Sequence, residues 1–142
     1  MTRWVLDTNV YVRASQNREA RRALNAFHDR HFARTDFAAT VWLELQIGIR
    51  SRQEQADLDA LVRPFTVLVP SARAFQQAGR VLAALHLREG LDPAAARASF
   101  HHDVLLACTV REHRRSLVTH NTDDFARIQR HLKGLRFTVP FP

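Results

Sequence analysis

The chain has 142 residues, 46% of them hydrophobic, with 21 Lys+Arg against 14 Asp+Glu and a formal charge of +7. That length predicts one domain, residues 1–142, with enough chain to bury a core. No apolar run approaches the roughly 18 residues of a membrane span, and MTRWVLDTNVYV reaches Asp7 too early for a secretory leader, so a cytoplasmic protein without membrane contact is expected. The single cysteine, Cys108, lies in an apolar helical pattern and has no intrachain disulfide partner. Lys133 is the only lysine; every other basic residue is an arginine, whose planar fork suits phosphate. GC-rich coding accounts for much of that bias but not for the net charge, and a nucleic acid or other polyanion is the expected partner.

In chain order, Trp4–Leu6 reads as a short strand ending at Asp7. Asn17–His31 carries Ala20, Ala23, Leu24 and Phe27 at helical spacing, with Arg18, Arg21, Arg22 and Arg30 on the other face. A second strand is expected near Phe32–Thr35, followed by a helix to about Arg50 with Thr35 or Asp36 as its cap. SRQEQAD reads as a loop or helix start before a short helix over Leu58–Val62. Phe65–Val69 is a β-rich run closed by Pro70. Ser71 caps a helix striped by Phe75, Ala78, Leu82 and Leu85, and Gly90 stops it. Asp92-Pro93 is a helix-start signal, and Ser99 caps a helix over Phe100–His113. Ser116–Thr119, Asp123–Leu132 and Arg136–Val139 complete the chain as strand, helix and strand.

Strands alternating with helices predict an α/β fold around a central, mainly parallel five-stranded sheet. Ligand sites in such sheets lie beyond the carboxyl ends of the strands, where strand order reverses. If the strands preceding Asp7 and Asn121–Asp124 are neighbours, both segments open onto one crevice.

Four carboxylates, Asp7, Glu44, Asp103 and Asp124, draw attention because three of them interrupt apolar stretches (RWVLD, VWLEL, FHHDVLLA), where an uncompensated charge is costly. Asp7 heads D-T-N, which is also good turn and capping chemistry. Glu44 has Thr40, Val41, Ile47 and Gly48 as helical neighbours, a small and apolar face. Gly48 is placed there either for close packing or for access. Asp103 has Phe100, Leu106, Ala107 and Val110 beside it, and a first-turn position would also let the helix dipole hold it. Asp123 or Asp124 can cap the helix that follows, and Asp124 or Asn121 can instead complete a site with Thr119. Asp57, Asp59, Glu54 and Glu89 read as solvated. No zinc-type His/Cys spacing occurs, and His101-His102 suit a surface or RNA-facing role better than ligation. Clustered acids repel, and Mg²⁺ or Mn²⁺ relieves that while activating water for phosphodiester displacement. Acids for a metal and arginines for phosphate describe a nuclease.

VLDTNV, VWLELQIGI, HHDVLLACTV, LVTHNTDDF and the closing GLRFTVPFP resemble, in that order and over nearly the full length, the PIN-domain family, specifically the VapC-type ribonuclease toxins of toxin–antitoxin pairs. The resemblance implies a PIN-like α/β/α sandwich and a Mg²⁺/Mn²⁺-dependent endoribonuclease. It implies metal-binding, catalytic acids at Asp7, Glu44 and Asp103, with Asp124 the nearest candidate for a fourth catalytic acid. Where many relatives carry that acid, this chain has Asn121. Thr119 matches the hydroxyl residue of the same motif, and Asn9 the polar residue that supports the first Asp. An RNA substrate, a small VapB-type antitoxin and a homodimer are implied as well. A haloacid-dehalogenase-type phosphatase would need an acid at position 9, where this chain has Asn9, and a receiver domain fits the layout and the basic charge poorly. The remaining rival is a non-catalytic RNA-binding or scaffold protein of the same fold.

Overall fold

In the computed structural model, which describes every residue except Pro93, Ala95 and Pro142, five strands form one parallel sheet in the order β3-β2-β1-β4-β5. They are β1 (Trp4–Leu6), β2 (Thr35–Ala38), β3 (Val67–Leu68), β4 (Ser116–Val118) and β5 (Phe137–Thr138). The connecting helices are α1 (Thr8–Gln16), α2 (Arg18–His31), α3 (Ala39–Ile47), α4 (Arg52–Val62), α5 (Ala72–Glu89), α6 (Ala98–Glu112) and α7 (Thr122–Gln129). From β1 the chain steps outward to β2 and β3, then returns across the sheet to β4 and β5 on the other side. Right-handed crossovers running in opposite directions place their helices on opposite faces, which gives three layers. Val5, Leu6, Phe37, Ala38, Leu117 and Val118 are at most 1% exposed, as expected for a parallel sheet covered on both faces. β1 and β4 are neighbours and strand order reverses between them, so the condition for Asp7 and Asn121–Asp124 to share one crevice is met.

The strands and most helices fall where the spacing puts them, and the departures have physical causes. Residues 8–16, read as turn chemistry around D-T-N, form α1. The run Val10-Tyr11-Val12 has strand-like propensity, but Val10, Tyr11 and Ala14 bury on one helical face, and tertiary packing overrides local preference. β2 begins three residues later than expected, because Phe32–Arg34 forms a single 3₁₀ turn. Thr35 and Asp36 are therefore buried strand residues and not caps, and α3 starts from Ala38 without a side-chain cap. Helix α3 ends at Ile47 and not near Arg50. Gly48 is its C-cap, where an added Cβ would meet only the Leu45 carbonyl at an ordinary 3.6 Å, so it serves no close approach. The polar SRQEQAD stretch is helical from Arg52. Ser51 accepts from the Glu54 N–H, and Glu54 reaches back to the Arg50 N–H, a reciprocal capping pair.

Ser71 caps α5 as predicted, and Gly90 closes it at φ 72, a left-handed conformation that a residue with a Cβ adopts at a cost. The helix-start signal at Asp92-Pro93 falls partly outside the described residues; Asp92 accepts from the Ala94 N–H in a turn. The next helix begins at Ala98 from Arg97 without a side-chain cap, so Ser99 lies inside it. Glu89 is partly exposed but ion-paired: Arg127, Arg130 and His131 converge on it, and hydrogen bonds from Arg130 and His131 hold its carboxyl down to about 2.

Candidate metal centre

β1 ends in a hydrogen bond from the Asp7 N–H to the Val118 carbonyl (2.9 Å), which fixes Asp7 at the mouth of the crevice beside β4. Its side chain both caps α1 and faces the crevice. Oδ1 accepts from the Thr8 N–H (2.8 Å), while Oδ2 accepts from the Thr119 hydroxyl (2.7 Å) and from Asn9 Nδ2 (3.2 Å). The capping and functional readings of Asp7 are thus satisfied by the same carboxylate. The orientation of Asn9 follows from one donor. The His120 N–H (3.1 Å) requires an acceptor, so Asn9 presents Oδ1 to it and its NH₂ to Asp7 and Thr119. Thr119 is fully buried; it accepts from Asn9 and from the Asn121 N–H (3.0 Å) and gives its own proton to Asp7.

Glu44, in the middle of α3, is held by the Thr8 hydroxyl (2.8 Å to Oε1), and His102 Nδ1 lies 3.7 Å from Oε2. Asp103 is the sixth residue of α6, so it lies beyond the first turn, where a dipole argument would have placed it. Asn121 Nδ2 bridges two carboxylates, Asp103 (3.2 Å) and Asp124 (3.0 Å). Carboxylate oxygens of Asp7, Glu44 and Asp103 all lie within 4.8 Å of one another. Asp124 stands behind this trio, tied to Asp103 through Asn121 and paired with Arg97 at 3.5 Å. Asp123 lies beside it in the first turn of α7.

Among the described residues, no lysine or arginine forms an ion pair with Asp7, Glu44 or Asp103. Two unit charges 4 Å apart cost about 4 kcal/mol at an effective dielectric of 20. Burial, then the carboxylates of Asp7, Glu44 and Asp124, push the Asp103 carboxyl up to about 8, with Arg97 pulling the other way. Burial raises Asp7 as well; the hydrogen bonds from Thr119, Thr8 and Asn9 oppose the rise and Glu44 adds to it. Three converging carboxylates, with Asp7 and Asp103 resisting ionisation, fit a hard divalent cation, and Asp7, Glu44 and Asp103 are the residues that would hold it. Thr8 and Arg97 are not singled out by the sequence, although Thr8 carries a signal as the hydroxyl neighbour of Asp7. His102, expected on an RNA-facing surface, lies beside Glu44.

No family model and no curated protein matches the sequence. Solved structures do match. A chain in the crystal structure of VapBC2 from Rickettsia felis bound to a DNA fragment from their promoter superposes with TM-score 0.70 at 22% identity, covering 96% of this chain and 97% of that one. A chain in DNA-bound VapBC from Salmonella typhimurium gives 0.75 at 21%, covering 98% of each. A toxin–antitoxin complex from Klebsiella pneumoniae gives 0.61 at 22%, covering 96% and 97%. The chain has the PIN-domain fold, end to end.

Proposed function

We propose that this protein is a VapC-type toxin: an endoribonuclease that uses Mg²⁺ or Mn²⁺ to hydrolyse phosphodiester bonds in RNA. The observation that carries this reading is the meeting of Asp7, Glu44 and Asp103 at the carboxyl end of the sheet, with no lysine or arginine ion-paired to any of them among the described residues. A divalent cation there supplies Lewis acidity toward the phosphodiester and a more acidic attacking water. The chain's own contribution is to hold the ligand oxygens in place. Thr119, Thr8 and Asn9 fix Asp7, Thr8 fixes Glu44, and Asn121 fixes Asp103 and Asp124, so little reorganisation is left when charge develops. Asp124 contributes through Asp103 and Asn121 as an outer acid, and Asp123 takes no direct part. The arginine-rich surface holds the RNA backbone.

A VapB-type antitoxin is the proposed partner, by likeness to the VapBC complexes above. Leu43 and Ile47, four residues apart on α3 and 50% and 70% exposed, sit on the helix that carries Glu44, where a covering protein would also block the site. Self-association as a homodimer and a cytoplasmic location belong to the same reading; among the described residues no helix is long and apolar enough to cross a membrane. Purified protein should cut single-stranded RNA with Mg²⁺ or Mn²⁺ and lose that activity in Asp7→Asn and Asp103→Asn. RNA binding without cleavage under either ion would sink the enzyme reading.

A further inference from the structure

We infer that the cavity next to the acids is a subsite for the nucleotide flanking the cleaved phosphodiester of single-stranded RNA, an inference that rests on the ribonuclease reading. The cavity measures about 630 Å³ and is lined by Val10 and Arg13 of α1, Ala20 and Ala23 of α2, His120 after β4, and Phe141. That volume lies within the roughly 300–1,000 Å³ of small-ligand sites. It is linked to the acids through Asn9: the His120 N–H binds Asn9, and Asn9 binds Asp7, so its wall stands two hydrogen bonds from a carboxylate oxygen.

Glu19 also lines the cavity, but the rest of the lining matches a nucleotide. His120 and Phe141 offer flat rings for a base, and the Phe141 ring is already seated against Phe27 with centroids 5.0 Å apart, a platform that needs no ordering. Val10 and the two alanines supply apolar walls. Arg13 is exposed, and among the described residues no side chain or carbonyl accepts from its guanidinium, which leaves its fork to a phosphate. Burial and the nearby Arg13 lower His120, so its imidazole is neutral and suited to stacking at neutral pH. Only an unstacked, single-stranded base can enter such a slot.

The test pairs two readouts on the purified full-length chain, with wild type, Arg13→Ala, His120→Ala and Phe141→Ala. Anisotropy of a labelled single-stranded oligoribonucleotide is read without divalent cation, and cleavage of the same oligomer is read with Mn²⁺. Loss of either ring should weaken binding about tenfold, with KM rising and kcat moving little. Arg13→Ala, at an exposed position that leaves folding intact, should reduce the slope of log affinity against log salt by about 0.7. An abasic position beside the cleaved bond should erase the ring effects. Unchanged affinity and salt slope in Arg13→Ala, together with indifference to the abasic position, would overturn the subsite. Variants that keep RNA affinity but lose a copurifying protein would overturn it in favour of a protein ligand. If wild type binds but does not cleave, the nuclease reading fails and the anisotropy arm still decides the cavity. If wild type cleaves and the variants match it, the subsite alone fails.

Discussion

Two aspartates of this sheet are equally buried and differently accompanied. Asp36 (2% exposed) lies in β2 and meets two guanidinium groups, Arg115 Nε at 2.5 Å and Arg3 Nη2 at 3.3 Å, each from the residue preceding β4 or β1. Asp7 (3% exposed), at the opposite end of the adjacent strand, meets neutral donors and two further acids. Burial alone therefore does not distinguish a structural acid from a functional one; the sign of the company does. One end of the sheet is neutralised from within the chain; at the other, the proposed divalent cation would supply the opposing charge.

The comparison breaks most visibly at the acidic end. Asp103→Asn should reduce Mn²⁺-dependent cleavage by at least about 100-fold, since altering outer-shell partners alone costs 10–100-fold. Replacing an acid that burial and its neighbours keep protonated should also leave the metal-free protein as stable as wild type near neutral pH, and more stable above it, in denaturant titration. A destabilised Asp103→Asn would mean that this acid is structural like Asp36. At the neutralised end the pattern inverts: Asp36→Ala strands Arg115 and should cost about 3 kcal/mol of stability, with specific activity of the folded fraction unchanged. Asn121→Ala probes the bridge between the inner trio and Asp124, and about a tenfold loss in metal affinity by calorimetry is expected. No change there would leave Asp124 outside the site.

A last expected effect is a drift of stability with pH. Asp103 titrates near 3.8 when unfolded and at about 8 when folded, so between those values the native state binds more protons. Stability of the metal-free protein should therefore fall as pH rises from about 4 to about 8, and Mg²⁺ should flatten the fall by favouring the ionised site. Chemical denaturation in chelator and in Mg²⁺ measures both slopes; a metal-free protein that gains stability over this range would contradict the crowding of acids.

The acids were legible because each interrupts a local pattern: an Asp after a strand, a Glu on an apolar helix face, an Asp on an apolar stripe. Asp36 was not legible for the converse reason. It looked like a helix cap, and the two arginines that make it a strand residue come from positions 33 and 79 residues away. Distance along the chain hid α1 too, whose strand-like Val10-Tyr11-Val12 is helical only because α2 and α3 pack against it. His102 near Glu44 and Arg97 near Asp124 depend on where α6 lies in three dimensions, which periodicity does not encode.

The two edges of the sheet carry a further consequence. β3 and β5 are each two residues long, so neither margin exposes a ladder of free N–H and C=O groups long enough to recruit a strand from another chain. Short edges disfavour recognition by strand addition and edge-to-edge aggregation alike. A partner held instead through helical faces is read side chain by side chain, where specificity can diverge quickly between one pair and the next.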